Sequence, residues 1–358
     1  MIDVIKRWYL RNFSDPQAVI LVLLLIGGFF IVMFMGEMLA PLLASVIIAY
    51  LLEGLVNIMH KRGMPRLIAV IFVFTFFLTI MITMVLGLIP LLWQQLFEFV
   101  QELPAMIAKG QQLLMLLPEQ YPSYITGEQV SDGVVALRAE ISEFGQSALS
   151  RSIEAIPMLI TLLVYLILVP LLVFFFLKDK AGIVHWLTAY MPKDRKLATK
   201  VWYEMDVQIG NYVRGKILEI FIVGGVTYIV FAVMGLNYAP LLGALVGLSV
   251  VVPYIGAAVA TLPVALIGFF QWGLSAEFGY IILAYAVIQG LDGNLLVPLL
   301  FSEAVNLHPV AIIVAVLVFG GIWGFWGVFF AIPLATLVKA VLKSWPKVKP
   351  ESYNTSVA

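Results

Sequence analysis

The sequence predicts an all-α polytopic membrane protein with about eight membrane segments, and three observations carry that expectation. Of 358 residues, 62% are hydrophobic and 12% charged, a charged fraction about half that of soluble domains. The apolar residues come in blocks of roughly 20, the length that crosses a hydrocarbon core about 30 Å thick. Lysine and arginine gather in alternate connections between the blocks, as cytoplasmic loops do.

The first block, Pro16 to Met35, follows Ser14 and Asp15, oxygen-bearing caps before a proline whose missing N–H costs nothing in a first helical turn. It is longer than the core of a signal peptide and lacks a small-x-small cleavage site, so it is read as a retained span. Further spans are expected at 39–56, 66–92, 156–177 and 217–236, each apolar on all faces. Between the third and fourth, Trp93, Leu96, Val100 and Leu103 recur at helical spacing with Gln94, Gln95, Glu98 and Gln101 between them. That pattern predicts an amphipathic helix facing an interface or a partner. Pro118, Pro122, Gly127 and Gly133 mark turns, and a second polar helix is expected around 134–154. The stretch 194–216 reads as a cytoplasmic helix leading into the fifth span.

From Ile217 to Val338 there is no Lys or Arg, and here the helices are expected to break. Segments 240–270 and 308–338 would each run about 47 Å if helical, long for one span and short for two. Pro253 and Gly256 interrupt the first; Gly320, Gly321, Gly324 and Gly327 interrupt the second. Each is either a long tilted span or a re-entrant pair of half-helices. With 279–301 a full crossing and both ends of this half on one side, the two segments share one form. Broken helices in comparable places point to a transport site. The chain thus divides into a three-span region (1–92), an extracytoplasmic segment (93–155), a fourth span with a basic cytoplasmic loop (156–216), a C-terminal membrane region (217–345) and a cytoplasmic tail (346–358).

Orientation follows from the basic residues. Lys6, Arg7 and Arg11, then Lys61, Arg62 and Arg66, then eight in 178–216, then Lys339, Lys343, Lys347 and Lys349 occupy four connections that alternate correctly as cytoplasmic. Segment 93–155 has three basic and eight acidic residues and is expected outside, with both termini inside.

Little enzyme chemistry is on offer, and no enzymatic activity or cofactor is expected. Without cysteine there is no disulfide, thiolate metal site or thiol nucleophile. His60, His185 and His308 lie far apart and have no ligand pattern beside them. Gly210 to Lys216 matches most of a phosphate-binding loop, but Ile217 stands where magnesium chemistry needs Ser or Thr, and no strand precedes it. Twenty-one basic and 21 acidic residues balance, so nucleic acid is not an expected partner.

Acidic residues inside apolar sequence stand out. Glu53 lies near the end of the second span, Glu219 just inside the fifth, and Asp292 in the middle of 279–301 among Gln289, Gly290, Gly293 and Asn294. A carboxylate at membrane depth costs at least about 2.5 kcal/mol unless protonated, paired or hydrated. Asp292 is either a hydrogen-bonding anchor for broken helices or part of a substrate, proton or cation site with Gln289, Asn294, Glu219, Pro253 and Gly256. Glu53 and Glu219 read first as carboxylates able to reach water or a lysine. Gly243/Gly247 and Gly320/Gly324 read as helix-packing pairs, and Trp323 and Trp326 as an interface belt or packing.

Several stretches together resemble a known family: Phe174 to Asp179, Asn211 to Lys216, Val252 to Gly256, Gln289 to Pro298, Asn306 to Pro309, Gly320 to Gly327 and Ala331 to Leu334. The chain resembles the autoinducer-2 exporter (AI-2E) family, more closely its PerM-type permease subgroup, over nearly its whole length. The resemblance implies a bacterial inner-membrane protein of about eight spans, embedded in lipid and assembled as a homo-oligomer, with a pentamer among the forms to test. Family members include exporters of the autoinducer-2 signal and others described as sodium/proton antiporters. Many members place glutamate where this chain has Asp292, and proline is common where it has Glu53 and Gly54. Secondary transport is the expectation, since no nucleotide-binding domain is present: export of a small polar organic solute, or cation/proton antiport. A membrane scaffold that binds a partner through 93–155 is the rival from another class.

Overall fold

Inside a bilayer no water satisfies the backbone, so apolar runs of this length must become helices. The computed structural model describes residues 16–114, 155–190, 196–253, 255–301 and 307–345. Among these the chain is helical with no strand, and eight helical stretches are long and apolar enough to cross a membrane. The turns and polar helix expected within 118–154, the capping Ser14 and Asp15 and the 346–358 tail lie outside the described residues.

The order is α1 (Pro16–Lys61), α2 (Arg66–Thr83), a π turn (Met84–Leu88), α3 (Ile89–Leu114), α4 (Ala155–Lys178), α5 (Lys180–Ala189) and α6 (Lys196–Val233). Then come α7 (Ala239–Ser249), α8 (Ile255–Trp272), α9 (Ala276–Leu291), a second π turn (Asp292–Leu296), α10 (Val297–Phe301), α11 (Pro309–Phe329) and α12 (Ala331–Ser344). They form two compact units: one of residues 1–53, 175–215 and 300–358, the other of 54–174 and 216–299.

Helix α1, which belongs to the first unit as far as Glu53, contains both of the first two expected spans. A straight α1 would put Gln17 and Tyr50 about 50 Å apart. Yet the Leu197 N–H donates to Gln17 Oε1 (3.0 Å), and the Tyr50 hydroxyl donates to the Asp206 carbonyl (2.7 Å). Leu197 and Asp206 are about 14 Å apart along α6, so α1 bends sharply between its two contacts. Pro41 supplies a cause: it has no N–H for the carbonyl four residues back, and its ring crowds that carbonyl. The two apolar runs, Gln17–Gly36 and Met38–Lys61, are separate legs of one bent helix. Leu21, Val201, Met205 and Ala340 form a buried cluster of this unit.

The expected break in 308–338 is present. Gly324 has φ 57 and ψ −134, a conformation of glycine alone, and α12 follows as a separate helix after Phe330. Close packing at the break is aromatic and glycine-mediated: Trp323 lies 5.2 Å from the Phe29 ring and stacks on Phe319, while Gly320 and Gly327 face Val328 and the Phe319 carbonyl. Trp323 therefore packs, as its sequence reading favours.

In the second unit the break in 240–270 is also present, α7 ending at Ser249 and α8 starting at Ile255. Gly256 sits so close to α7 that a Cβ there would overlap the Ser249 carbonyl oxygen. Gly256→Ala is expected to push the two half-helices apart and lower the thermal midpoint by several degrees, corresponding to about 1–3 kcal/mol; an unchanged midpoint would contradict this packing. Gly243 and Gly247 let α7 approach α6 at Gly224, as expected of a packing pair. Around them Phe231, Leu242, Val246, Ala260, Val264 and Ile281 make the core.

One boundary is corrected. The third span does not end at 92 with a separate amphipathic helix after it: the helix runs from Arg66 through the π turn into α3. Pro90 explains the π turn, because a wider turn carries the helix past a residue without an N–H. The second π turn stands in the same register before Pro298. On α3, Gln95 Oε1 accepts the Leu241 N–H (3.0 Å) and Phe99 packs edge-on against Tyr238, while Trp93 and Leu96 stay exposed.

Candidate functional site

Charge buried within the second unit is concentrated at one place. Lys216 and Glu219 stand three residues apart on α6, so they share a helix face. They are 4% and 2% exposed, and Lys216 Nζ lies 2.6 Å from Glu219 Oε2. The ammonium also donates to the Val250 carbonyl (2.9 Å), at the C-terminal end of α7 where the chain leaves helix. The break thus has a charged partner. Val250 lies three residues before Pro253, and Gly256 in the first turn of α8 sits against Ser249.

Asp292 opens the second π turn, half-buried, with its Oδ1 atom shielded from solvent and without a hydrogen-bond partner. It lies within electrostatic reach of both Lys216 and Glu219. One turn earlier Gln289 has its Nε2 buried and unpartnered. Tyr285, on the same helix, donates its hydroxyl to the Ala257 carbonyl of α8 (2.8 Å) and stands beside Gln289. The arrangement can hold or release one proton or cation at Asp292, within electrostatic reach of a fixed ion pair. Because Pro298 accounts for the π turn, the turn alone is no mark of function. The unpartnered carboxylate oxygen is what singles out Asp292.

Of the residues singled out in the sequence, Asp292, Gln289, Glu219 and the Pro253–Gly256 break fall in this one unit, with Asp292, Glu219 and the break linked through Lys216. Asn294 is spent otherwise: it is exposed and its Nδ2 donates to the Gly290 carbonyl of its own helix (2.8 Å). Lys216 is the residue that sequence reading missed, because it ends a basic stretch and looks like a solvated flank. Its i,i+3 spacing to Glu219 was the available signal. Glu53, in the other unit, is buried and pairs with Lys180 (3.3 Å), the lysine partner its position suggests.

A cavity of about 360 Å³ opens elsewhere in the second unit, lined in part by Glu102, Met106, Lys109, Asn237, Phe270 and Gln271. It shares no residue with the Lys216 cluster. Next to it Tyr238 holds φ 59, and burial, together with a hydrogen bond to Glu102 and the Glu98 charge, pushes its phenol up to about 12. Among the described residues no group of three His, Asp or Glu side chains could hold a metal ion.

Comparison with known proteins agrees with the family resemblance. The chain is 45% identical to the "Putative permease PerM" of Escherichia coli (strain K12) over 346 residues, 97% of this chain and 98% of that protein. It is 25% identical to the "Putative transport protein YueF" of Bacillus subtilis (strain 168) over 317 residues, covering 86% and 84%. The "Putative transport protein YrrI" of the same organism is 25% identical over 312 residues, covering 87% of each. The family described as AI-2E family transporter matches residues 19–347. With eight apolar helices among the described residues and this match, the chain is a multi-pass membrane protein that belongs to the AI-2E transporter family.

Proposed function

We propose that the protein is a secondary transporter of the bacterial inner membrane that exports a small polar organic solute in exchange for a coupling ion carried at Asp292. The observation that carries the reading is the buried Lys216–Glu219 pair beside an unpartnered Asp292 oxygen at a helix break. Ionisable groups at membrane depth are expensive and mark ion and substrate paths. Alternating access would work through the two broken segments, 240–270 and 308–338, each now two helices with a hinge between them. The names of its relatives, a permease and transport proteins, support the class. Cation/proton antiport is the second reading, favoured by the same cluster. The test is flux by the purified protein alone in liposomes, over a panel of small polar solutes with and without pH and sodium gradients. Gradient-dependent flux of at least one solute or cation is expected; none for any candidate would favour a scaffold.

The orientation follows the basic residues: both termini cytoplasmic, 93–155 outside. In intact spheroplasts, Ser123→Cys is expected to react with an impermeant thiol reagent and Ser356→Cys to stay unlabelled. Labelling of the second variant alone would overturn the orientation. Self-association is proposed from the resemblance and from the exposed Trp93 and Leu96 of α3. Light scattering in mild detergent should give a multiple of the single-chain mass, five copies being one candidate; the mass of one chain would end the proposal.

A further inference from the structure

The seat of the Lys216 ammonium has the donor set of a cation site. Glu219 offers a carboxylate oxygen at 2.6 Å and Val250 a carbonyl at 2.9 Å. That carbonyl belongs to the end of a broken helix, where the last carbonyls lack N–H partners and the helix dipole is negative. Carboxylate oxygens and the carbonyls of broken helix ends are the groups with which membrane transporters hold a dehydrated monovalent cation.

We propose that Lys216 is a built-in cation occupying a latent sodium site, so that the protein takes no sodium there and is coupled to protons through Asp292. This rests on the reading of the cluster as the coupling site, and it names the coupling ion. The charge inventory supports it. α6 brings Lys216 and Glu219, which neutralise one another, and α9 with its π turn brings Tyr285 and Asp292. Residues 239–272 of α7 and α8 contain no Asp, Glu, Lys, Arg or His. α3 packs on the far end of α7, where Glu98 and Glu102 face Tyr238. Asp292 is then the carboxylate whose charge the ion pair leaves unbalanced, and one proton makes the cluster neutral. A sodium ion beside the ammonium would meet like charge a few ångströms away.

The proposal is tested by Lys216→Gln, which removes the ammonium and leaves Glu219 and Val250 in place. Purified in NaCl and exchanged into choline chloride, the variant is expected to lose about 3–6 °C in melting midpoint, regained on returning sodium. Wild type should melt alike in both salts. Lys216→Gln/Glu219→Gln, which lacks the carboxylate, should also be indifferent to sodium. A sodium-dependent midpoint in wild type, or a Lys216→Gln protein that melts alike or aggregates alike in both salts, overturns the proposal. The readout is binding, so failure of all transport in liposomes would sink the transporter reading while this result stood or fell by itself.

Discussion

Lys216→Met, measured in sodium-free buffer, is expected to destabilise the protein more than any single change away from this cluster. The substitution leaves the Glu219 carboxylate buried without its counter-ion. Breaking a buried ion pair from one side costs about 3–5 kcal/mol, whereas replacing both members by neutral groups of similar size is often close to neutral. Lys216→Met/Glu219→Gln should therefore recover most of what Lys216→Met loses. The comparison is a double-mutant cycle read from thermal midpoints in detergent, and the coupling should exceed about 1 kcal/mol, well outside the error of additivity. Equal losses in the single and double variants would mean that the pair is not energetically linked, and that the 2.6 Å separation does not hold the unit together.

The second large effect concerns Asp292. Asparagine keeps the size and most of the hydrogen-bonding capacity of aspartate but cannot carry charge or exchange a proton. Asp292→Asn is expected to assemble and melt like wild type, because its Oδ1 atom has no partner to lose. Its pH-driven flux should fall at least about tenfold, as expected when an ionisable group in a membrane path is removed. Asp292→Glu is expected to retain partial activity, since it keeps an ionisable carboxylate on a side chain one methylene longer. If well-assembled Asp292→Asn transports with wild-type pH dependence, the carboxylate is an anchor, and Glu219 becomes the group to examine.

How legible was this in the sequence? Composition and the length of the apolar blocks suffice for the membrane-spanning helices, because lipid leaves a long apolar segment few alternatives. The breaks in the C-terminal half were legible from Pro253 with Gly256 and from the glycines of 320–327, residues whose geometry forbids or strains a continuous helix. What escaped was set by contacts distant in sequence. The continuity of α2 through Pro90 into α3 depends on a π turn, which no hydrophobic period announces. The bend in α1 becomes evident only through the contacts of Gln17 and Tyr50 with α6. Lys216 looked like the last member of a cytoplasmic basic stretch, and one helical turn separates that environment from burial. Its oxygen partner, the Val250 carbonyl, lies 34 residues away, so local sequence gave only the Glu219 half of its seat. Asp292 was legible as an expense; the buried ion pair within its electrostatic reach was not.

The most direct test of the account is proton movement driven by a solute gradient. Purified wild-type protein and Asp292→Asn are each reconstituted into liposomes that enclose a pH-sensitive dye, with an outward gradient of a solute identified in the flux panel and no imposed pH gradient. The account predicts that solute efflux drives proton entry and acidifies the lumen with wild type, that replacing sodium by choline leaves the signal unchanged, and that Asp292→Asn gives none. Solute movement without any pH signal, or a signal that disappears when sodium is removed, would contradict it.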